Sequence, residues 1–250
     1  MITSRENAKL KLVRRLLTAR RHRRESGLFA CEGEDLVAAA AAAGVEPVEL
    51  LVAGETVAAE LLASVSTLPH PARVIAVYRA ADLPRARRDV VLGLWRVADP
   101  GNVGTLIRTA DAFGAAVALS SGCADPLGPK SLRASAGAIF RVPLVAWEDA
   151  PGRRLALVAH GGAPLEQVEL TPPLTLLLGA ERAGLPRELV AQSQEATIVL
   201  PGPAESLNVA AAGAIALYEV SRRSGARPAS LPDDLAAPPS GDAPPLGAPG

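Results

Sequence analysis

The chain has few aromatic residues, cysteines and histidines. Aromatic residues make up only 3% of the 250 positions, so the core has to be built mainly from Ala, Val and Leu. The two cysteines, Cys31 and Cys123, lie far apart without metal-binding neighbours, and we interpret both as reduced, buried thiols of a cytoplasmic protein. Because the 3 histidines do not cluster either, we expect no bound metal.

Long hydrophobic runs are also missing. No apolar stretch reaches the length that a membrane-spanning helix needs, and Met1–Arg5 does not open a signal peptide, so we expect no membrane association. Hydrophobic residues nevertheless make up 49% of the chain, which is enough to form the core of one large domain or of two small ones.

Charge is balanced overall but unevenly distributed. The formal net charge is +0, yet no acidic residue lies between Glu6 and Glu25. Lys and Arg displace the counterions that condense on phosphates, so a basic segment of this kind favours contact with RNA. A solvated helix face is the alternative. The basic residues of this segment are Lys9, Lys11, Arg14, Arg15, Arg20, Arg21, Arg23 and Arg24.

The first third of the chain alternates between helical and strand patterns. We expect a first helix that Ser4 caps and that ends near Arg20. This alternation predicts a small α/β domain over residues 1–80, followed by a linker over residues 81–89. The buried face of the first helix would contain Leu10, Val13, Leu16 and Leu17, and the elements that follow it are Leu28–Cys31, Glu34–Ala43, Val48–Val52, Val57–Ala63 and Val74–Tyr78.

Residues 90–224 follow a second α/β pattern. Continuous apolar strands that alternate with helices favour a parallel sheet covered on both faces. From residue 225 to residue 250 the composition changes to Pro, Ala, Gly, Ser and Asp, which predicts a disordered tail. Strands are expected at Val90–Trp95, Ala116–Leu119, Val142–Val145, Leu155–Ala159, Leu174–Leu178 and Thr197–Leu200, and helices at Val103–Phe113, Pro186–Gln192 and Leu207–Arg222.

Three polar loops follow predicted strands of this second pattern, at the strand ends where open α/β sheets bind their ligands. In the first loop, Ala98–Gly114, Asn102 stands where a helix cap belongs, and Arg108 lies within a mostly apolar helix. A simple cap and a salt-bridge partner are the alternative interpretation of these two residues.

The second loop, Leu178–Pro186, contains Gly179 and Gly184, which permit a ligand to approach the backbone closely. It lacks the glycine spacing of a phosphate-binding loop, and Glu181 would suit a cationic ligand or an arginine better than a phosphate. An ordinary turn with a capping Glu is the alternative.

The third loop, Leu200–Asn208, contains two prolines and a glycine that fix a non-helical path. It brings Ser206 and Asn208 to the start of a helix that is rich in small residues. A Ser cap on a buried helix would explain Ser206, but it would not explain the rigid loop before it.

Together the three loops resemble, in order and spacing, the motifs of the SpoU (TrmH-like) family of RNA ribose 2'-O-methyltransferases. The resemblance covers about Val90–Arg223 and extends more weakly to Arg5–Leu51. Position 180 is Ala where many members have Asn or Ser, and the link Trp147–Arg154 looks too short for a helix often found there. The matching residues are Asn102, Gly104 and Arg108 in an Asn-x-Gly-x-x-x-Arg motif, Gly179, Glu181, Gly184 and Leu185 in a Gly-x-Glu-x-x-Gly-Leu motif, and Ser206–Ala210 in a Ser-Leu-Asn-Val-Ala motif.

The resemblance implies a C-terminal parallel-sheet α/β domain with a deep trefoil knot, preceded by a small α/β substrate-binding domain. It also implies a homodimer with the active site at or near the subunit interface, which Leu207–Arg222 would help to form. The cofactor would be S-adenosylmethionine and the substrate RNA, with rRNA favoured over tRNA because a substrate-binding domain comes first. A catalytically silent RNA-binding member is the alternative, and the intact motifs argue against it.

The resemblance also assigns roles to residues. Arg108 would either take the proton of the ribose 2'-hydroxyl or stay charged and stabilise the developing oxyanion. Asn102 and Ser206 would orient the ribose or Arg108, Glu181 would hold Arg108 or an opposing loop, and Asn208 would fix the loop backbone. The expected cofactor-binding residues are Leu178, Gly179, Leu200, Pro201, Ser206 and Leu207, and the expected RNA-binding residues are Lys9, Arg14, Arg15, Arg20, Arg21, Arg23, Arg24 and Arg133.

Overall fold

The N-terminal part of the chain folds around a small antiparallel sheet. The computed structural model describes residues 1–225. The strands of this part are β1 (Leu28–Glu32), β2 (Glu49–Val52) and β3 (Val74–Arg79), and its helices are α1 (Ala8–Thr18), α2 (Arg20–Ser26), α3 (Glu34–Ala42) and α4 (Ala59–Ala63). The central strand β3 pairs with β1 on one side and with β2 on the other, and both pairs are antiparallel.

The segment predicted as one N-terminal helix consists of two helices. Asn7 caps α1, because its side-chain oxygen accepts a hydrogen bond from the N–H of Lys9 at 2.9 Å, so the prediction of a Ser4 cap was wrong. Ala19 has an extended backbone and separates α1 from α2. The predicted apolar face is confirmed, since Leu10, Val13, Leu16 and Leu17 are all buried.

The C-terminal part folds around a seven-stranded sheet. Its strands are β4 (Val90–Leu94), β5 (Ala116–Leu119), β6 (Leu144–Ala146), β7 (Arg153–Leu157), β8 (Ala163–Pro164), β9 (Leu174–Leu178) and β10 (Gln194–Thr197), and its helices are α5 (Pro100–Ala112), α6 (Pro129–Ser135), α7 (Arg187–Ala191) and α8 (Val209–Arg223). The strand order is β6-β5-β4-β9-β7-β10-β8, and every neighbouring pair is parallel. The predicted parallel α/β sheet is therefore confirmed.

Several strand boundaries differ from the predicted ones in a way that lengthens the loops. β7 ends at Leu157 and β10 ends at Thr197, so the predicted strands Leu155–Ala159 and Thr197–Leu200 were placed too late in the sequence. β10 begins with the exposed polar residues Gln194 and Glu195, which hide it from a hydrophobic pattern. The segments that follow β7 and β10 are consequently loops at the carboxyl edge of the sheet. Helix α6 was not predicted.

One hydrophobic cluster extends across both parts of the chain, and a second lies within the N-terminal part. Phe29 of β1, Tyr78 of β3 and Phe140 form an aromatic cluster with ring centroids 5.1 to 6.1 Å apart. Only a single 3-10 turn, Trp147–Asp149, lies between β6 and β7, in agreement with the short link expected there. No helix within residues 1–225 is long and apolar enough to cross a membrane.

Glycines permit the close helix contacts that position the loops. A Cβ added to Gly104 of α5 would lie 2.4 Å from the carbonyl oxygen of Ser131 in α6, and one added to Gly213 of α8 would lie 2.4 Å from Cδ2 of Leu106 in α5. Helix α5 is thus packed tightly between α6 and α8. The predicted domain boundaries and the implied trefoil knot stay predictions, and the predicted tail falls almost entirely outside the described residues.

Candidate active site

Two of the three polar loops leave the large sheet side by side. β4 and β9 are parallel neighbours with Leu94 opposite Leu178, and the N–H of Trp95 donates to the carbonyl of Leu178 at 2.8 Å. The third loop leads from β10 into α8, which approaches Leu178 closely at Gly213. All three loops therefore meet at the carboxyl edge of the sheet, where parallel sheets bind ligands.

The carboxylate of Glu181 connects the first two loops. Its Oε1 accepts hydrogen bonds from Nδ2 of Asn102 at 3.0 Å and from the N–H of Asp99 at 3.3 Å, and its Oε2 accepts one from the N–H of Ala98 at 3.3 Å. The Oδ1 of Asn102 in turn accepts a hydrogen bond from Nδ2 of Asn208 at 3.1 Å. One hydrogen-bond chain, which we call the loop network, thus joins residues of all three motifs.

Hydrogen bonds keep Glu181 ionised. Partial burial acts to raise its pKa, but the hydrogen bonds from Asn102 and from the backbone N–H groups outweigh burial, and the pKa lies below the usual value of 4.5. An ionised carboxylate accepts hydrogen bonds and donates none, which suits a group that faces N–H donors. Of the two roles expected for Glu181, holding an opposing loop agrees with these contacts.

The helix caps in this region are Asp99 and Asn208. The Oδ1 of Asp99 accepts from the N–H of Asn102 at 2.8 Å, so Asp99 caps α5, and the expected placement of Asn102 at the cap was wrong. The Oδ1 of Asn208 accepts from the N–H of Ala210 at 2.8 Å and caps α8. Within the described part of the chain the hydroxyl of Ser206 forms no hydrogen bond, so it is available to a ligand.

The second loop folds back on itself at its two glycines. The backbones of Ala180 and Gly184 pair through hydrogen bonds of 3.2 and 2.8 Å, and Gly184 has a φ of 64° that favours glycine. A Cβ added to Gly179 would lie 2.2 Å from the carbonyl carbon of Gly184. The motif glycines therefore shape this loop, whose backbone stays accessible.

A cavity of about 440 Å³ opens beside the loop network. This volume falls within the range of roughly 300 to 1,000 Å³ that is usual for small-molecule sites. Pro201 is exposed and does not line the cavity, in contrast to the other residues expected to bind the cofactor. Those lining residues are Leu178, Gly179, Leu200, Ser206 and Leu207.

Comparison with known proteins assigns a family to this arrangement. A family model described as the SpoU rRNA Methylase family matches residues 89–218. The chain belongs to the SpoU rRNA methylase family. A second model, described as the MRM3-like substrate binding domain, matches residues 7–81 of this SpoU family member.

One curated relative and two solved structures align with nearly the whole described length of this SpoU protein. It is 33% identical over 245 residues to the 23S rRNA (guanosine(2553)-2'-O)-methyltransferase RlmP of Bacillus subtilis, which covers 88% of this chain and 98% of the relative. An AdoMet-bound rRNA methyltransferase from Sinorhizobium meliloti aligns with a TM-score of 0.77 and 30% identity, over 89% of this chain and 97% of that one. The AdoMet complex of the SpoU methyltransferase AviRb from Streptomyces viridochromogenes aligns with a TM-score of 0.77 and 28% identity, over 88% and 98%.

The arginine of the first SpoU motif lies apart from the cavity. Arg108 is exposed on α5 and is not among the residues that line the cavity. No acidic side chain within residues 1–225 forms an ion pair with it. In a single chain, Arg108 therefore neither lines the cavity nor forms an ion pair with Glu181 of the loop network.

The basic N-terminal residues of this SpoU protein divide into free and paired groups. Arg14, Arg15 and Arg24 are exposed and form no ion pair with any described residue, and we call these three the basic surface. The paired ones are Lys9, which contacts Glu49 at 2.6 Å, Lys11, which contacts Glu6 at 2.5 Å, and Arg21, which contacts Glu25 at 2.6 Å, while Arg20 donates a hydrogen bond to the carbonyl of Cys123 at 2.9 Å.

Two further residues expected to bind RNA contact protein groups. The side chain of Arg23 is only 7% exposed, its Nη2 lies 2.7 Å from Oδ2 of Asp125, and its Nη1 donates to the carbonyl of Leu16. Arg23 thus joins α2 to the loop before α6, and we leave it out of the RNA-binding surface. Arg133 is partly exposed, with Nη1 3.9 Å from the buried carboxylate of Glu32.

Some cavity residues were missed at the sequence level. Leu157 at the end of β7 and residues 158–160 after it line the cavity, as do Arg182 and Glu205. The corrected end of β7 explains the first omission, since residues placed inside a strand are not expected at its loop edge. Arg182 and Glu205 could have been identified as charged residues within a Gly-rich loop and a Pro-rich loop, respectively.

Proposed function

We propose that this protein transfers the methyl group of S-adenosylmethionine to a ribose 2'-hydroxyl of ribosomal RNA. The observation that carries the proposal is the loop network, in which Glu181, Asn102 and Asn208 gather three SpoU motifs beside one cavity. The name of the RlmP relative places its reaction on 23S rRNA, which supports rRNA as the substrate class here.

The cavity residues fit S-adenosylmethionine. Leu178, Leu200 and Leu207 provide apolar walls, which together with backbone donors and acceptors suffice for a neutral, flat adenine. A Cβ at position 179 would clash with the backbone of Gly184. The loop can therefore present its backbone to the cofactor at this position only because residue 179 has no side chain. When bound, S-adenosylmethionine supplies a methyl group attached to a cationic sulfur, and the rest of the cofactor leaves as a neutral thioether.

In this proposal Arg108 acts as a charged group and not as a base. A guanidinium keeps its proton at ordinary pH, which favours the electrostatic role for this arginine. It stabilises the negative charge that develops on the ribose oxygen while the hydroxyl proton passes to solvent, and it grips the adjacent phosphate. The hydroxyl of Ser206 and the amide of Asn102 orient the ribose.

We further propose a homodimer in which each active site uses Arg108 from the other copy. Arg108 does not line the cavity of its own chain, and in the proposed dimer the second copy supplies this residue to the bound cofactor. The outward face of α8 supports this arrangement, because Ile215 and Tyr218 are 41% and 58% exposed beside the small residue Ala211. A monomeric mass in sedimentation equilibrium at the concentration used for activity would contradict the dimer.

The proposal divides the work along the chain. Residues 1–80 bind RNA, residues 81–89 are the linker, and residues 90–224 transfer the methyl group. We place the protein in the cytoplasm, where free thiols persist, because Cys31 and Cys123 are buried and unpaired among the described residues.

Two measurements test the proposed function. The purified protein should bind radiolabelled S-adenosylmethionine, and a protein that binds none would support a silent RNA-binding member instead. Ribose methylation is then mapped in total RNA from cells with and without the protein. We expect the loss of one 2'-O-methyl mark in rRNA, whereas loss of a mark in tRNA would reject rRNA as the substrate.

A further inference from the structure

Arg96 has an unusual backbone conformation at the carboxyl end of β4. Its φ is 52°, and within residues 1–225 only one other non-glycine residue, Ala136, has a positive φ. Long side chains rarely adopt this left-handed conformation, and it persists where the surrounding structure holds it. Here the Oγ of Ser120 accepts a hydrogen bond from the N–H of Arg96 at 2.9 Å.

The side chain of Arg96 lies across Gly122. A Cβ added to Gly122, whose φ is 95°, would lie 3.2 Å from Nε and 3.3 Å from Cγ of Arg96, so the glycine leaves room for this side chain. Arg96 is exposed, and none of the described acidic residues forms an ion pair with it. The backbone N–H of Arg96 is thus bonded and its stem packs against Gly122, while its charge has no ion-pair partner among the described residues.

The position of Arg96 connects two parts of the proposed RNA path. The loop that contains Gly122 is held to α2 by Arg20, which donates to the carbonyl of Cys123, and α2 carries part of the basic surface. On the other side, Ala98 lies just beyond Arg96 in the chain, and its N–H donates to Glu181 of the loop network. Arg96 is therefore connected to the basic surface through the loop that contains Gly122, and to the loop network through the residues that follow it in the chain.

We propose that Arg96 binds a backbone phosphate of the RNA next to the target nucleotide and extends the basic surface to the active site. The inference rests on the proposed function, because it takes RNA as the substrate. A guanidinium can bind a phosphate through two parallel hydrogen bonds, and a phosphate contact fixes the register of the RNA without reading its sequence. A side chain whose stem already packs against Gly122 loses less conformational freedom when it binds.

The test compares the two ends of β4. Arg96→Gln removes the charge at the carboxyl end, and Arg88→Gln removes an equal charge from an exposed arginine that precedes the strand and has no ion pair among the described residues. Binding of protein-free large-subunit ribosomal RNA is measured over a series of KCl concentrations. We expect Arg96→Gln to weaken binding roughly tenfold and to lower the salt slope by about 0.7 to 0.9, the value for one phosphate contact. The Arg88→Gln protein should match the wild type.

A second variant separates the charge from the fold. Arg96→Gly suits a positive φ, so its thermal midpoint should equal or exceed that of the wild type while RNA binding weakens as in Arg96→Gln. Unchanged RNA affinity in both Arg96 variants, or an equal loss in Arg88→Gln, would overturn the inference. Binding of S-adenosylmethionine should be unchanged in all three. If the wild-type protein binds no S-adenosylmethionine, the proposed function is rejected. The RNA titrations then still test the phosphate contact of Arg96.

Discussion

The loop network and the exposed arginines differ in how their polar groups are satisfied. Glu181, Asn102 and Asn208 bind one another and the backbone, so their hydrogen-bonding capacity is largely used within the chain. Arg108 and the basic surface have no ion-pair partner in the part of the chain that the structure describes. Residues of the first kind maintain the shape of the site, whereas residues of the second kind are available to a polyanion. Substitutions in the loop network should therefore lower stability, whereas substitutions of the exposed arginines should lower RNA-dependent activity and leave stability unchanged.

The largest effect should come from Arg108→Ala. Removing a group that stabilises developing charge lowers the methylation rate by about 100- to 1,000-fold. The thermal midpoint should match that of the wild type, because Arg108 is exposed and has no ion-pair partner among the described residues. Single-turnover methylation of the substrate RNA measures the rate. A variant that methylates at the wild-type rate would remove Arg108 from the proposed mechanism.

Arg23 and Arg24 allow the comparison to be made between neighbours on α2. Arg23→Met leaves Asp125, whose side chain is 16% exposed, without its partner, and breaking such a pair costs about 3 kcal/mol of unfolding free energy. Arg24→Met removes an exposed charge and should change stability by less than about 0.5 kcal/mol while it weakens RNA binding. Urea unfolding and RNA titration of both variants provide the measurements. Equal stability of the two proteins would show that the Arg23 pair contributes little.

This contrast also marks the limit of what the sequence predicts. Segregation of charge identified the basic segment, but Arg23 cannot be separated from Arg24 without knowing that Asp125, 102 positions away, meets it in the fold. The apolar pattern likewise identified the central strands β4 and β9, which are buried along almost their entire length. It misplaced β10, since that strand begins with exposed polar residues.

The candidate site shows the same division. Motif spacing identified Asn102, Glu181 and Asn208 as site residues, but it did not indicate which groups these residues bind. Local sequence favoured Asn102 as the cap of α5, yet Asp99 takes this position because Pro100 begins the helix. The amide of Asn102 is thereby left to bridge Glu181 and Asn208, a contact between loops that no local pattern contains.

Asn208→Ala and Ser206→Ala test the third loop. Asn208 caps α8 and binds Asn102, so its truncation should cost about 1 to 2 kcal/mol of unfolding free energy and weaken binding of S-adenosylmethionine. Ser206 forms no hydrogen bond within the described chain, so Ser206→Ala should leave stability unchanged and lower the methylation rate. Thermal unfolding and calorimetric binding distinguish the two. A destabilised Ser206→Ala protein would mean that the serine belongs to the loop network.

The smallest effect concerns the charge of Glu181. Its pKa is lowered in the folded protein, so its stabilising contribution is complete above the usual value of 4.5 and is lost as the pH falls through the folded value. Glu181→Gln removes this dependence, and the wild type should exceed the variant by less than about 1 kcal/mol at neutral pH, because the carboxylate is solvent-screened. The two unfolding free energies should converge as the pH falls from about 7 to about 3 in urea titrations. Because other carboxylates titrate in both proteins, only the difference between them reports on Glu181. A difference that stays constant over this range would mean that the loop network depends on the shape of Glu181 and not on its charge.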